Sequence, residues 1–536
     1  MNSSVNPTSN IVRFFGWGLL IATVAAVICA RVHLLGLPLE RDEGEYAYTG
    51  QLLLQGIPPY QLAYSMKFPG TAIAYAVLMS IFGETAQGIH LGLITANVGT
   101  TTFILLIGRR LLGEIGGIAA AAAFSVLTLM PYVLGQAAHA THFVLLPAAA
   151  ACLALLAAAD RPSKIRLFGS GILFGVAVLM KQPGVFFALF GAVYLFGHGL
   201  WGGANLKHAL FRNLILLSGI ATPLCVISLI LWRAGVFEKF WFWTITYTQQ
   251  YATEVPIRIG LRVLVDHFPS VVAGTWPIWV IATTGLIRSL FNDFRRTRGF
   301  LVELTLFAMM SVCAGFYFRP HYFILLLPAV SLLAGNAVMT ALTAVGNRRT
   351  YASFAMILLF GLALVWPIWQ ERDFLFERSV PEANRMVNGT NPFPESVKIG
   401  EFIQERSNPA DTIAVLGSEP QIYFYAKRHS ATGYIYTYGL MEPQPFAKQM
   451  QQEMIREIES ARPKFLVLVV MNRSWLPWRD SDKSIFRWAA MYRDANYDEV
   501  GLINISDTGT NYYFPRPPNM NPAEDHILIY QRKPAL

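Results

Sequence analysis

Three carboxylates and two tyrosines stand together in residues 41–48, Arg-Asp-Glu-Gly-Glu-Tyr-Ala-Tyr, directly after the first long apolar segment. At the edge of a bilayer, Asp42 and Glu43 can stay hydrated and ionised while they reach a buried neighbour. Asp42 followed three residues later by Glu45 is also a capping-box pattern, which predicts a helix over roughly 45–54. The two interpretations are compatible, because a helix cap can also hold a catalytic acid in place. We therefore predict that this stretch is the chemical centre of the protein.

Basic residues at the ends of other segments are predicted to lie on the same side of the membrane as Asp42. Lys67 lies in the first loop, Lys181 is followed by Gln-Pro, and Arg319 and His321 belong to the sequence Phe-Tyr-Phe-Arg-Pro-His-Tyr. Each of them could instead anchor its helix at the interface. Together, cations at headgroup depth suit a phosphate whose tail stays in the bilayer, and carboxylates facing them suit acid/base chemistry. This combination predicts group transfer from a lipid phosphate.

The elements that position these residues are predicted to be membrane helices, because 54% of the 536 residues are hydrophobic and only 14% are charged. The formal net charge of +9 is explained by basic loops and does not indicate nucleic-acid binding. The apolar runs predict about eleven spans, at roughly 14–35, 87–107, 115–136, 141–159, 167–180, 183–199, 213–232, 268–290, 300–318, 321–345 and 351–370.

Basic residues concentrate in the connections on one side of these spans, for example Arg109 and Arg110, or Arg348 and Arg349. By the positive-inside rule that side is cytoplasmic, together with the N terminus. The opposite side then carries the two longest connections, roughly 36–86 and 233–267, and the C-terminal tail. We predict a multi-pass protein of the inner (plasma) membrane whose site faces outward, toward a periplasm or cell envelope.

A change of composition near residue 371 divides the chain into an all-α membrane domain, 1–370, and an extracytoplasmic soluble α/β domain, 371–536. In the first outer loop, residues 71–82 are apolar but too short to span, which predicts an interfacial helix. In the second, the aromatic residues from Phe237 to Tyr251 are interpreted as an aromatic belt. The soluble domain is predicted to contain helices at roughly 395–407, 421–427 and 445–461 and strands at roughly 412–417, 465–470 and 527–530.

His139 and His142 are three residues apart and would share a helix face, where they could bind a metal or an acceptor. A third ligand is not evident in the sequence, so a polar turn is favoured over a metal site. The four cysteines all fall inside predicted spans, so neither a disulfide framework nor a thiolate site is indicated.

These residues resemble a family, the GT-C glycosyltransferases that use polyprenyl-phosphate sugars, which includes the lipid A aminoarabinose transferase and the protein O-mannosyltransferases. The resemblance spans nearly the whole chain. It is carried by Asp-Glu at 42–43, Gly-Ile-Pro-Pro-Tyr at 56–60, Lys-Phe-Pro-Gly at 67–70, the segment 175–181 with its Lys-Gln-Pro ending, Arg-Pro-His-Tyr at 319–322 and the tail segment 415–424.

The resemblance implies a GT-C membrane domain in which Asp42 is the base and Glu43 orients the base or the acceptor. The basic residues near the lipid phosphate would be Lys67, Lys181 and Arg319, and His321 and Tyr322 would join them in binding the substrate. The aminoarabinose branch has Glu-Lys-Pro-Pro where this chain has Met-Lys-Phe-Pro at 66–69. Since the carboxylate suggested there as a metal ligand is missing, we predict no metal and no other cofactor.

The function predicted in this way is inverting transfer of a sugar from a polyprenyl-phosphate donor to an extracytoplasmic acceptor. The acceptor could be a glycolipid, a polysaccharide or a protein, and the sequence does not choose among them. The alternative is a transporter or flippase of lipid-linked sugars, in which the membrane charges would line a pathway.

Overall fold

The computed structural model describes residues 10–291, 295–345 and 350–534. Arg348 and Arg349, used above to orient the chain, lie outside these residues. The first part of the chain is helical, as the apolar runs predict. Its helices are α1 (Asn10–His33), α2 (Arg41–Leu54), α3 (Gly70–Phe82), α4 (Ala86–Leu112), α5 (Glu114–Leu127), α6 (Ala140–Asp160), α7 (Lys164–Met180), α8 (Val185–Trp201), α9 (Leu206–Arg233), α10 (Phe237–Trp241), α11 (Thr248–Thr253), α12 (Ile257–Ala273), α13 (Trp276–Leu290), α14 (Arg295–Cys313), α15 (Leu327–Val345) and α16 (Thr350–Gln370).

Within the described residues, eight helical segments are long and apolar enough to cross a membrane, or nine if the bent pair α12–α13 is one span. The sequence predicted about eleven, because it counted every apolar run of suitable length. Two of those runs form shorter helices, α5 with 14 residues and α7 with 17. The run 115–136 is interrupted because α5 ends at Leu127 and a 3-10 turn begins at Pro131, which has no N–H to continue a helix.

Close packing between helices fixes the helix ends that carry the candidate site. A Cβ on Gly171 of α7 would lie 2.2 Å from the Leu216 carbonyl oxygen of α9, so only glycine allows these two helices to approach this closely. Likewise, a Cβ on Gly335 of α15 would lie 2.3 Å from the Gly116 carbonyl oxygen of α5. Since α7 ends just before Lys181 and α15 begins just after Tyr322, this packing positions two candidate site segments.

The elements of the C-terminal part are α17 (Val380–Asn388), α18 (Phe393–Glu405), β1 (Thr412–Leu416), α19 (Gln421–Ala426), β2 (His429–Ser430), α20 (Tyr438–Met441), α21 (Ala447–Ala461), β3 (Phe465–Val470), α22 (Asn472–Trp475), α23 (Ser484–Asn496), β4 (Tyr497–Ser506), β5 (Gly509–Tyr513) and β6 (Asp525–Arg532). The strands form a six-stranded sheet with the order β2-β1-β3-β6-β4-β5, parallel across β2, β1 and β3 and antiparallel beyond. The predicted α/β class is confirmed, while α23, β4 and β5 were not predicted. We call α18 to α23 with the six strands the sheet domain.

The sheet domain packs directly on α2, the helix that begins with the predicted chemical centre. A Cβ on Gly44 would lie 2.6 Å from the backbone nitrogen of Gln421, so α2 and α19 touch backbone to backbone. The Arg41 guanidinium donates to the Glu419 carboxylate at 2.9 Å. Farther along α2, the Tyr48 hydroxyl accepts a hydrogen bond from the Ser430 backbone N–H at 2.7 Å. The sheet domain therefore determines where the acidic end of α2 lies.

Glu419 is fully buried and also accepts a hydrogen bond from the Ser474 hydroxyl at 2.5 Å. Replacing it (Glu419→Gln) leaves the buried Arg41 guanidinium without a counter-charge, which we expect to lower the free energy of unfolding by about 3 kcal/mol. Thermal unfolding of the purified protein measures this loss. Glu405→Gln, at a carboxylate on the protein surface, is the control, and equal melting temperatures of the two variants would contradict the role given to Glu419.

Candidate active site

The cap of α2 differs from the predicted one. Glu40 is the N-cap, its carboxylate accepts a hydrogen bond from the Glu43 N–H at 2.9 Å, and the Glu43 carboxylate accepts from the Glu40 N–H at 3.1 Å. The predicted box of Asp42 and Glu45 is therefore wrong, because the extended backbone at Glu40 starts the helix at Arg41. Asp42 and Glu45 instead lie inside the first turns of one helix, three positions apart, and share a face.

Lys67 bridges these two carboxylates. Its Nζ lies 2.8 Å from Asp42 Oδ1 and 2.7 Å from Glu45 Oε2, and it sits 4.6 Å from the centre of the Tyr46 ring. Burial opposes ionisation of Asp42, but the neighbouring charges, of which Lys67 is the strongest, together outweigh it, and the pKa of Asp42 lies well below its usual value. Sequence reasoning gave Glu45 only a capping role. Asp42 is therefore an ionised carboxylate whose position is fixed by a shared lysine.

Glu43 is buried and points elsewhere. Its carboxylate accepts hydrogen bonds from the Ala138 N–H at 2.6 Å and from His90 Nε2 at 3.1 Å, in addition to the cap. With these contacts it ties the start of α2 to the segment before α6 and to α4. It is not among the residues that line the cavity next to Asp42.

That cavity, the first cavity, has a volume of about 270 Å³ and brings together six of the seven site residues predicted from the sequence. Gln182 donates to the Met66 carbonyl at 2.6 Å, which ties the loop after α7 to the loop that carries Lys67. The Lys181 ammonium lies 4.4 Å from the centre of the Tyr322 ring. The predicted residues in the lining are Asp42, Lys67, Lys181, Arg319, His321 and Tyr322.

Lys181 and Arg319 are the cations of this cavity that lack an anionic partner. Among the residues that the structure describes, no carboxylate oxygen lies within 4.0 Å of the side-chain nitrogens of either one. Lys67, by contrast, is already paired twice. Two unpaired cations around a space of this size form a site for an anion.

Aromatic side chains from three parts of the chain form the other walls. Trp243 and Tyr247 are only 7% and 4% exposed, and Trp243 stacks on Tyr64 with ring centres 5.7 Å apart. Trp243 also contacts Tyr434 of the sheet domain, with ring centres 5.7 Å apart. The aromatic-belt interpretation is therefore wrong for Trp243 and Tyr247, because they face the protein interior. The sheet domain adds Tyr436 to the lining.

Asp42, His139 and His321 each offer one ligand atom, and these atoms lie within 4.8 Å of one another. The two imidazole rings stack with centres 4.1 Å apart. Within the described part of the chain, neither ring nitrogen of His139 has a hydrogen-bond partner, although the residue is buried. One carboxylate and two imidazoles suit a divalent ion such as Zn²⁺. The sequence prediction of no metal rested on Met66, which is not one of these residues.

One family model matches part of the chain. Residues 67–232 match the family model described as dolichyl-phosphate-mannose-protein mannosyltransferase. This segment includes two of the cations of the first cavity, Lys67 and Lys181. No curated protein matches the chain in sequence.

The fold is similar to that of two solved membrane enzymes. ArnT from Cupriavidus metallidurans, bound to undecaprenyl phosphate, matches with a TM-score of 0.60 and 15% identity over 96% of this chain and 98% of that chain. The archaeal oligosaccharyltransferase AglB from Archaeoglobus fulgidus, in complex with an inhibitory peptide and a dolichol-phosphate, matches with a TM-score of 0.53 and 14% identity over 95% of this chain and 76% of that chain.

The chain is thus similar in fold to multi-pass membrane glycosyltransferases of GT-C type, and residues 67–232 match a glycosyltransferase family model. The resemblance found in the sequence is thereby confirmed. The match to ArnT extends over nearly the full length of both chains.

Proposed function

We propose that the protein transfers a sugar from a polyprenyl-phosphate donor to an acceptor on the outer face of the membrane, with inversion at the anomeric carbon. The observation that carries the proposal is the first cavity, where the Lys67-bridged carboxylate of Asp42 faces two cations without anionic partners. An ionised carboxylate suits proton abstraction, and unpaired cations suit a phosphate leaving group. The lipid phosphates bound to ArnT and AglB, undecaprenyl phosphate and dolichol-phosphate, support the choice of donor.

In the proposed reaction, the donor phosphate lies between Lys181 and Arg319. The acceptor oxygen or nitrogen attacks the anomeric carbon and forms the new glycosidic bond, and its proton passes to Asp42. The bond between the anomeric carbon and the phosphate oxygen breaks at the same time, and its electron pair stays on the phosphate. The two cations neutralise the charge that develops there, and positioning supplies much of the rate because phosphate is already a good leaving group.

Neighbouring residues orient Asp42. Lys67 holds one carboxylate oxygen and, through Glu45, is itself held in place. Glu43 acts as a positioning residue, because its contacts fix the start of α2 rather than reach the first cavity. A divalent ion, if bound, would be held by Asp42, His139 and His321 and would supply positive charge to the leaving group or the attacking group.

The remaining proposals concern setting and partners. We place the protein in the inner (plasma) membrane with a cytoplasmic N terminus and an extracytoplasmic sheet domain, in agreement with the basic connections between the helices. Residues 1–370 would form the membrane domain and 371–536 the outer domain. The acceptor is a glycolipid, a polysaccharide or a protein.

The decisive assay incubates the purified protein in nanodiscs with a panel of radiolabelled undecaprenyl-phosphate sugars and extracts of outer-envelope glycans, glycolipids and peptides. We expect one donor to be consumed, with its label transferred or released to water. A donor that binds without being consumed, in the presence of all acceptors, would overturn the proposal and favour a flippase of lipid-linked sugars.

Lys181 gives the donor affinity a dependence on pH. Burial lowers the pKa of Lys181 to about 7, and the charges of Lys67 and Arg319 act in the same direction, against those of Asp42 and Glu40. The ammonium form is therefore present below about pH 7 and is lost above it. If only that form binds the phosphate, KM for the donor rises about tenfold from pH 6 to pH 8. Lys181→Arg stays protonated and should show a flat KM; the same rise in this variant would contradict the assignment.

A further inference from the structure

A second cavity, of about 350 Å³, is lined by other residues around the start of α2. It combines the chain before α2, the segment before α6 and helix α17 with the start of α18. Its rim carries Asn388 and Asn391, which are partly exposed. Its lining includes Glu40, Arg41, His90, Gln136, His139, Asn384 and Phe393.

The two cavities adjoin at a pair of stacked side chains. His139 lines the second cavity and stacks on His321, which lines the first, with ring centres 4.1 Å apart. His139 Nδ1 lies 3.5 Å from Glu40 Oε1 in the second cavity and 3.9 Å from Asp42 Oδ2 in the first. A group bound against Glu40 and His139 would therefore lie next to the proposed base.

The second cavity contains buried polar atoms that the described residues leave without a partner. Besides both ring nitrogens of His139, these are Nδ2 of Asn384 and Oε1 of Gln136, in residues that are 0% and 8% exposed. The other amide atom of each is used, since Asn384 Oδ1 accepts from Asn388 and Gln136 Nε2 donates to the Leu129 carbonyl. An unpaired buried polar atom is unfavourable, so a ligand that pairs both atoms gains affinity.

The cationic groups of this cavity are already paired. Arg41 donates to Glu419, to the Ser418 carbonyl at 3.0 Å and to Asn391 at 2.8 Å. His90 contacts the Leu35 carbonyl at 2.9 Å with one nitrogen and Glu43 with the other. These groups leave no cation for a phosphate or carboxylate of a ligand. The cavity therefore suits a neutral ligand whose groups both donate and accept hydrogen bonds, as hydroxyls do.

We propose that the second cavity binds a neutral carbohydrate unit as the acceptor of the transfer reaction, with the hydroxyl to be glycosylated beside Glu40 and His139. This inference rests on the proposed function and chooses a sugar hydroxyl over a peptide side chain. Phe374 and Phe393, both buried, make part of the lining apolar. The sugar could be part of a polysaccharide or the headgroup of a glycolipid.

Saturation-transfer NMR on the full-length protein in nanodiscs tests this without a donor. The ligands are the methyl glycosides of glucose, galactose, mannose and N-acetylglucosamine, lipid-anchored forms of the same sugars, and N-acetyl-Ala-Ser-Ala amide. We expect at least one glycoside to receive saturation from the parent protein and from Asp42→Asn. The signal should fall about fivefold or more in Asn384→Leu and in Gln136→Met, each of which removes one free polar atom at similar volume. Asn511→Leu, at an exposed asparagine of β5, should match the parent.

Binding of free glycosides with this pattern supports a polysaccharide or oligosaccharide acceptor, and binding of the lipid-anchored forms alone supports a glycolipid headgroup. The proposal falls if folded parent protein binds no sugar, if both variants bind like the parent, or if only the peptide binds. The donor assay is independent of this result. Sugar binding without donor consumption would leave the second cavity as a carbohydrate site and overturn the transfer reaction. Donor hydrolysis without sugar binding would support the use of the donor and overturn the carbohydrate site.

Discussion

Asp42→Asn should abolish sugar transfer, with a loss of about 10³-fold or more in kcat, while the protein still binds undecaprenyl phosphate. The amide cannot take the proton of the acceptor, and general-base removal typically costs about 10²–10⁴-fold. The fold should survive, because Lys67 keeps its 2.7 Å contact with Glu45. Affinity for the lipid phosphate should stay equal or increase, since one negative charge leaves the first cavity.

The measurement pairs single-turnover transfer with binding of undecaprenyl phosphate to the same preparation. Asp507→Asn, at an exposed aspartate of the sheet domain, is the matched control and should behave as the parent. Asp42→Glu keeps the charge but moves the carboxylate, so it should retain a small fraction of the activity. Full activity of Asp42→Asn would show that Asp42 is not the base. Loss of lipid binding in this variant would show that Asp42 has a structural role.

Lys67→Met should both destabilise the protein and reduce transfer by about 10²-fold or more. It leaves two carboxylates, whose side chains are only 17% and 5% exposed, without their shared cation. Breaking a buried pair in this way typically costs about 3–5 kcal/mol. The pKa of Asp42 should rise toward its usual range, because the Lys67 charge is the main interaction that lowers it against the effect of burial. Melting temperature and kcat measure the two effects.

A second substitution separates the structural effect from the catalytic one. In the double variant Lys67→Met with Glu45→Gln, one of the two carboxylates is neutral, so a large part of the lost stability should return. The activity should not return, because Asp42 still lacks its cation. Lys483→Met, at an exposed lysine, is the control. If stability and activity recover together, Lys67 supports activity only by stabilising the folded protein.

Much of the first cavity was predictable from the sequence because its residues occur at the ends of apolar runs. The outer ends of helices meet at one membrane face, so Lys181 and Arg319 could be grouped with Asp42 before any distances were known. Glu45 could not be assigned, because its pairing with Lys67 depends on how the loop between them folds back. The cap at Glu40 was also missed, since glutamate is not among the preferred N-cap residues.

The contribution of the sheet domain to the site was the least predictable part. Its strands β1 and β3 were predicted as continuous apolar runs, whereas β4 and β5 carry polar residues such as Asn504 and Asn511 and gave no such pattern. Trp243 and Tyr247 were assigned to the membrane interface because the composition of an aromatic cluster does not distinguish a membrane interface from a cavity wall. Only the position of Tyr434 and its neighbours shows that the cluster is covered.

The backbone contact between Gly44 and Gln421 restricts how such enzymes can be recombined. A side chain at position 44 would push α19 away from α2, because its Cβ would lie 2.6 Å from the Gln421 backbone nitrogen. A chimera that takes its sheet domain from a relative would therefore have to take α2 from the same relative. Two stretches that lie far apart in the sequence, α2 and the sheet domain, must therefore be exchanged together if the proposed site is to keep its shape.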